Sequence, residues 1–286
     1  MANETKTRRD MAENAQILMC RPDYYGIEYE INPWMNRERQ ADHAVAVQQW
    51  KALREILVEL GVEVLELAPV DGLPDLVFTA NAAMIHDTTA FLSRFRHDQR
   101  SGEEQHDATW LADHGFTVQQ LPKETFFEGA GDALFCGDTL FAGYRVRSDV
   151  YSHQHVAEQI GCRVIPLELV NAYYYHLDTC FCPLTQSMAI FHPAAFDEYG
   201  QSVLSEIVEE LIEVAALEAA SFACNAIVVG RTVVTNEGCP ELQRELKVRG
   251  FRVIQTPLHE FVKAGGSAKC LTLRLDGEEA AAWAQK

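Results

Sequence analysis

Four times in this chain a run with helical spacing ends on glycine and an apolar run begins at once. The four junctions are Gly61-Val-Glu-Val-Leu, Gly115-Phe-Thr-Val, Gly161-Cys-Arg-Val-Ile and Gly250-Phe-Arg-Val-Ile. Glycine suits the left-handed residue that closes a helix. The first three junctions are roughly 50 residues apart and the last gap is about twice that, the mark of an internal repeat with one silent copy. A fifth copy, without its glycine, fits over Glu206–Glu218. Apolar strands joined by short polar turns travel with these junctions. Asn81–Ile85 meets Ala90–Leu92, Ala133–Cys136 meets Thr139–Ala142 across Gly137-Asp138, Cys180–Leu184 meets Met188–Phe191, and Ala226–Val229 meets Thr232–Val234 across Gly230-Arg231. Two-residue connections with glycine are hairpin signals. Each unit therefore reads as strand, hairpin and helix, and a period of about 45–50 residues points to a circular array. The segments Ile17–Pro22 and Cys270–Leu275, from opposite ends of the chain, supply the strands that complete the ring.

Helical spacing is plainest over Arg37–Leu60, where Val47, Trp50, Leu53, Leu57 and Leu60 share one face. Ser101 and Glu104 suggest a capping box ahead of Gly115, and Pro240 suits a first helical position. No linker rich in Pro, Gly or Ser separates the units, so residues 17–276 are expected to form a single domain. Residues 1–16 read as a frayed or disordered start and 277–286 as a C-terminal tail. The polar N-terminus has no apolar signal region, and no apolar run reaches the roughly 18–20 residues that span a bilayer. Eight cysteines without a secretory signal suggest reduced thiols and a cytoplasmic location. A net charge of −18 argues against a nucleic-acid partner. Oligomeric state is left open.

Cys270 follows the small-residue run Lys263-Ala-Gly-Gly-Ser-Ala-Lys269 and precedes the alternating Leu271, Leu273 and Leu275. Small residues let backbone and substrate approach closely, and Lys269 beside the thiol favours a thiolate. This is either a nucleophile or one of several core cysteines. Phe126-Phe-Glu128-Gly-Ala-Gly-Asp132 sets two carboxylates around a glycine-rich turn; they either hold a cation such as a guanidinium or simply shape the turn. In Tyr175-His176-Leu-Asp178-Thr-Cys180-Phe-Cys182, strand alternation would put His176, Asp178, Cys180 and Cys182 on one side, with Asp178 orienting His176. No Cys-x-x-Cys pair accompanies them, so a zinc site is not expected. Asn81, alone in an apolar strand, both donates and accepts. Asp75 opens the preceding turn. Arg100 and Arg147 have the planar fork that grips a carboxylate. The loop Ile31-Asn32-Pro-Trp34-Met35 is apolar and aromatic, either a lid or a packed turn.

Taken together, five ordered motifs carry a resemblance: Ile31-Asn-Pro-Trp-Met, Pro74-Asp-Leu-Val-Phe-Thr-Ala-Asn81, Phe127-Glu-Gly-Ala-Gly-Asp132, His176-Leu-Asp-Thr-Cys-Phe-Cys-Pro183 and Lys263-Ala-Gly-Gly-Ser-Ala-Lys-Cys270. Over Ile17 to Leu275 the chain resembles the guanidine-modifying, or pentein, superfamily, and most resembles its arginine dihydrolases of the cyanobacterial type. The resemblance implies an α/β, five-bladed propeller of ββαβ units. It implies Cys270 as nucleophile, His176 as general acid and base, and Glu128 as the carboxylate on the guanidinium. Asn81 stands where many deiminases and dimethylarginine hydrolases carry Asp. Arg100 and Arg147 match binders of the substrate α-carboxylate, Asp75 and Asn32 match further substrate contacts, and Asp132 is grouped with them at a motif position whose role is left open. The implied substrate is L-arginine, converted to ornithine, carbon dioxide and two ammonia with no metal or organic cofactor. The alternatives are a deiminase stopping at citrulline, a dimethylarginine hydrolase, an amidinotransferase, or a non-catalytic arginine-binding propeller.

Overall fold

The structure is a computed structural model that describes residues 15–278. Most of the expected frayed start and of the expected tail lies outside the described residues. Where the two can be compared, Gln16 already opens the first strand, and Glu278 is buried rather than loose.

Fifteen described strands form five three-stranded sheets. The first joins β1 (Gln16–Cys20) to β2 (Glu63–Leu67) and to the last strand, β15 (Leu273–Arg274). The second holds β3 (Ala83–His86), β4 (Thr89–Leu92) and β5 (Thr117–Gln119). The third holds β6 (Ala133–Cys136), β7 (Thr139–Tyr144) and β8 (Arg163–Glu168). The fourth holds β9 (Phe181–Pro183), β10 (Met188–Phe191) and β11 (Glu210–Glu213), and the fifth β12 (Ile227–Val229), β13 (Thr232–Asn236) and β14 (Arg252–Thr256).

Every sheet has one antiparallel pair and one parallel pair. The antiparallel pair is a short hairpin, except in the first sheet, where the two chain ends meet. A parallel neighbour needs a crossover, and helices supply it: α1 (His43–Glu59), the consecutive α2 (Asp98–Ser101) and α3 (Glu103–Asp113), α4 (Val150–Ile160), α5 (Glu198–Ile207) and, after the short α6 (Ala216–Ala219), α7 (Pro240–Val248). A last short helix, α8 (His259–Val262), leads to β15. This is the five-unit α/β propeller expected.

The glycines at 61, 115, 161 and 250 all have φ between 70 and 85°, so the left-handed closure is real. The silent copy ends without one: Val208 leaves α5 in an extended conformation at φ −90°. Three local expectations give way. The first helix starts at His43, not Arg37, because Asp42 caps it by accepting from Val45 N at 3.1 Å. Ser101 and Glu104 form no capping box; the Glu104 carboxylate instead accepts from Phe95 N. Cys270 is not in a strand but in a turn ahead of the two-residue β15.

One rule of the architecture positions everything functional. The inner strand of each sheet is preceded by a tight turn, and the five turns meet. They are Thr79–Asn81, Gly129–Gly131, Leu177–Thr179, the stretch 221–225 and the stretch 268–271. Hydrogen bonds link each turn to the next. Ala80 N donates to Cys270 O, Asn81 Nδ2 to Glu128 O, and Leu177 N to Asp132 Oδ1. Asn225 Nδ2 donates to Asp178 O, and Cys270 N donates to Asn225 Oδ1. Gly131 must lack a side chain here, because a Cβ would run into the Asn81 amide.

Candidate active site

The ring of turns brings Asn81, Glu128, Asp132, His176, Asp178, Asn225 and Cys270 into one buried belt, each at most 5% exposed. Glu128 is its electrostatic centre. Its Oε2 accepts from Arg147 Nη1 at 2.9 Å and from His176 Nε2 at 2.7 Å. Burial presses the Glu128 carboxyl upward, but the Arg147 charge and the His176 bond outweigh it and hold the group well below the usual range. Burial drives His176 down to about 4, against the pull of Glu128. The imidazole is therefore neutral at pH 7. Its Nε2–H faces Glu128, and its Nδ1 has no hydrogen-bond partner.

Asp132 sits behind this pair. Its two oxygens accept from Leu177 N at 3.0 Å and Ser148 Oγ at 2.6 Å, and Ser148 Oγ in turn accepts from Glu128 N. Asp132 thus links the turn that carries Glu128 to the one that carries His176.

The two arginines are both buried and both occupied. Arg147 donates Nη2 to Ile31 O at 3.1 Å and lies over the Tyr175 ring, in addition to its bond to Glu128. Arg100 grips Glu103 with Nε and Nη2, at 2.8 and 2.7 Å, and donates Nη1 to Asn81 Oδ1 at 2.9 Å. This fixes the Asn81 amide, with its oxygen toward Arg100 and its nitrogen toward Glu128 O. Arg147 Nε alone of these guanidinium nitrogens has no hydrogen-bond partner. Asp75 receives Arg100 at its carbonyl, keeps Oδ1 unpartnered, and has a carboxyl raised by burial despite the Arg100 charge.

The thiol side is built differently. Cys270 Sγ donates to Asp178 Oδ2 at 3.3 Å and accepts from Asn225 Nδ2 at 3.1 Å. The turn Leu177–Thr179 breaks the strand alternation, so the Asp178 carboxylate serves Cys270 and does not orient His176. Burial raises the Asp178 carboxyl to about 7, with the Lys269 charge working against it. Burial, and then the Asp178 charge, push the Cys270 thiol well above its ordinary value. The expected activation by Lys269 is not there. Its ammonium is held by both oxygens of Glu278, at 2.9 and 3.0 Å.

The aromatic loop is packed across this belt. Asn32 Nδ2 donates to Ala264 O, and its Oδ1 accepts from Trp34 N, so Asn32 latches the loop to the segment before Cys270. Trp34 Nε1 donates to Tyr173 O, and its ring packs on Phe222. No group of three or more His, Cys, Asp or Glu among the described residues is arranged to hold a metal.

Motif reading missed two features of the belt, the bond between Asp178 and the thiol and the presence of Asn225. Asn225 lies in an undistinguished Phe-Ala-Cys-Asn run. The signal that finds it is the repeat: it stands two residues before its inner strand, as Asn81 does.

The model of the eukaryotic N,N dimethylarginine dimethylhydrolase family matches residues 22–276. The chain belongs to this family. The chain is similar to an N(G),N(G)-dimethylarginine dimethylaminohydrolase of Mycobacterium tuberculosis, 35% identical over 91% of this chain and 85% of that protein. The bifunctional arginine dihydrolase/ornithine cyclodeaminase ArgZ of Synechocystis is 44% identical over 93% of this chain. The present chain spans only 38% of that relative's length. The crystallised N-terminal domain of ArgZ, a Cys→Ser mutant bound to substrate, superposes with a TM-score of 0.89 at 44% identity, covering 92% of this chain and 98% of that one. These relatives place the chain in the guanidine-modifying superfamily and account for the five sheets. Among the described residues, no helix is long and apolar enough to cross a membrane.

Proposed function

We propose that this chain is an arginine dihydrolase, which hydrolyses the guanidino group of L-arginine to ornithine, carbon dioxide and two ammonia. The observation that carries the reading is a set of unmatched acceptors, two in the belt and one on Asp75, which Arg100 joins to Asn81. Asp75 Oδ1, Asp178 Oδ1 and His176 Nδ1 are buried without partners, and a buried acceptor calls for a donor. Arginine offers N–H donors and a positive charge together. The names and 44% identity of the cyanobacterial dihydrolases support the same substrate.

In this mechanism the substrate guanidinium replaces Arg147 on Glu128 and meets the Asp178 carboxylate beside the sulfur. Arg147, once displaced, and Arg100 attract the substrate carboxylate, with Asp75 and Asn32 completing the pocket. Cys270 sulfur attacks the guanidinium carbon as its proton passes to His176 Nδ1. The imidazolium returns that proton to the departing ammonia and then deprotonates a water. Water adds to the carbon, the C–S bond breaks, and citrulline forms. A second attack and a second water release ammonia, carbon dioxide and ornithine.

Asn81 favours the second cycle. Its neutral amide accepts from an arginine N–H and donates to the ureido oxygen of citrulline, which an Asp would repel. Incubation with arginine should therefore give two ammonia per ornithine, and Cys270→Ser should abolish turnover. Accumulation of citrulline alone would make the protein a deiminase. Release of dimethylamine from dimethylarginine, without arginine turnover, would make it a hydrolase of the kind for which the family model is named. Asn81→Asp should shift the products toward citrulline, and an unchanged product ratio would remove the role given to Asn81.

A further inference from the structure

We propose that Asn225 is a further catalytic residue, whose side-chain N–H donates to the Cys270 sulfur and stabilises the attacking thiolate. This deepens the reading above and rests on Cys270 being the nucleophile. Asn225 is fully buried and is bonded on both ends of its amide. Its Oδ1 accepts from Cys270 N at 3.1 Å; its Nδ2 donates to Cys270 Sγ at 3.1 Å and to Asp178 O at 3.0 Å. These partners fix the amide's orientation, because a flipped amide would set oxygen against a sulfur and a carbonyl and face nitrogen to an N–H.

Among the described residues, no cation is hydrogen-bonded to this sulfur. The charged and titratable groups around the sulfur are all otherwise engaged or of the wrong sign. Asp178 is an acceptor that opposes a thiolate. Lys269 is held by Glu278, Tyr175 Oη donates to Gly265 O, and His176 Nε2 donates to Glu128. Asn225 is the only side-chain donor bonded to this sulfur among the described residues.

The backbone supports the assignment. Phe222, three residues earlier, holds φ at +60°, a conformation that side chains other than glycine seldom adopt, and its ring is packed against Trp34. Strain of this kind persists where the surroundings over-determine a functional position. Hydrogen bonding to the charged form favours that form. The donor thus offsets part of what burial and Asp178 do to the thiol, and the same amide holds the Cys270 backbone and the Asp178 carbonyl in register.

The test is alkylation of Cys270 by iodoacetamide as a function of pH, followed site by site by peptide mass spectrometry. Asn225→Ala should raise the pH midpoint of Cys270 reactivity by about one unit, a roughly tenfold loss of thiolate at a given pH below the midpoint. Asn225→Ser, which keeps a short hydroxyl donor, should fall between the two. The midpoint is the readout, since the plateau also reports access. An unmoved midpoint in both variants, with only their stability lowered, would make Asn225 a structural residue and overturn the proposal. Should the alanine variant not fold, serine against wild type decides, with an unmoved midpoint again counting against the donor. Alkylation needs no arginine turnover. Wild-type protein that leaves arginine untouched, yet shows the midpoint shift in the variants, would refute the dihydrolase reading and leave the Asn225–Cys270 bond standing.

Discussion

The two halves of the belt treat buried acids in opposite ways. On the Glu128 side, the carboxylate meets a guanidinium and an imidazole within 3 Å and stays ionised despite burial. On the Cys270 side, Asp178 meets a thiol and keeps one oxygen unmatched, and its carboxyl rises to about 7. Desolvation is common to both; what differs is whether the chain supplies the counter-charge. The Glu128 half is closed with the protein's own arginine, whereas among the described residues no cation is bonded to the Asp178 carboxylate. This asymmetry orders the expected effects of mutation.

The largest effect on stability should come from Glu128→Gln. It removes the charge that Arg147 faces and leaves a buried guanidinium with a neutral partner. Breaking a buried pair in this way costs about 3–5 kcal/mol, measurable as a lower urea midpoint. A loss below about 1 kcal/mol would show that Arg147 is not held by this charge, and the contrast between the halves would fail.

Asp178→Asn should act in the other direction. Its folded-state carboxyl lies near 7, above the ordinary carboxylate value. A raised value means that its contribution is full below about pH 4 and is lost as pH rises through 7. His176, lowered to about 4, contributes fully above about 6.5 and loses that contribution as pH falls toward 4. In the wild type these slopes oppose each other. Removing Asp178 leaves the His176 slope exposed, so the variant gains on the wild type between pH 5 and 8, by on the order of 2 kcal/mol. Urea titrations at the two pH values check this. Equal differences at both would place the Asp178 carboxyl in the ordinary range. Arginine turnover should fall in the same variant, separating stability from function at one residue.

The fold was largely readable because its signal is periodic. Glycine at the helix ends and short hairpins recur whatever tertiary contacts they make, so Gly61, Gly115, Gly161 and Gly250 announced the units. The candidate site was readable as a set of residues and not as a set of partnerships. Lys269 adjoins Cys270 in sequence, yet its ammonium turns to Glu278, which read as tail. Asp178 is two residues from His176, and a single helical turn gives its carboxylate to Cys270 instead. Asn225 carries no motif and gains its meaning only from its place in the fourth turn. Contacts between turns of different units are set by how the ring closes, a long-range property that no local pattern records.

The smallest effect sharpens the comparison by leaving both halves untouched. Asp42 caps α1 through Val45 N and lies on the exposed rim, while its own N–H donates to Glu260. Asp42→Ala removes the side-chain cap and leaves the backbone bond in place, a loss of about 1 kcal/mol. Helix α1 packs its buried face, Trp50, Leu53 and Leu57, into the core that also holds Cys270 and Leu271. If the belt is set by turn-to-turn bonds, this loss should lower the urea midpoint without moving the Cys270 reactivity midpoint or the ratio of ammonia to ornithine. A shift in either would mean that the thiol half takes its geometry from the helix layer outside it, and that local bonding to Asn225 and Asp178 is insufficient to define it.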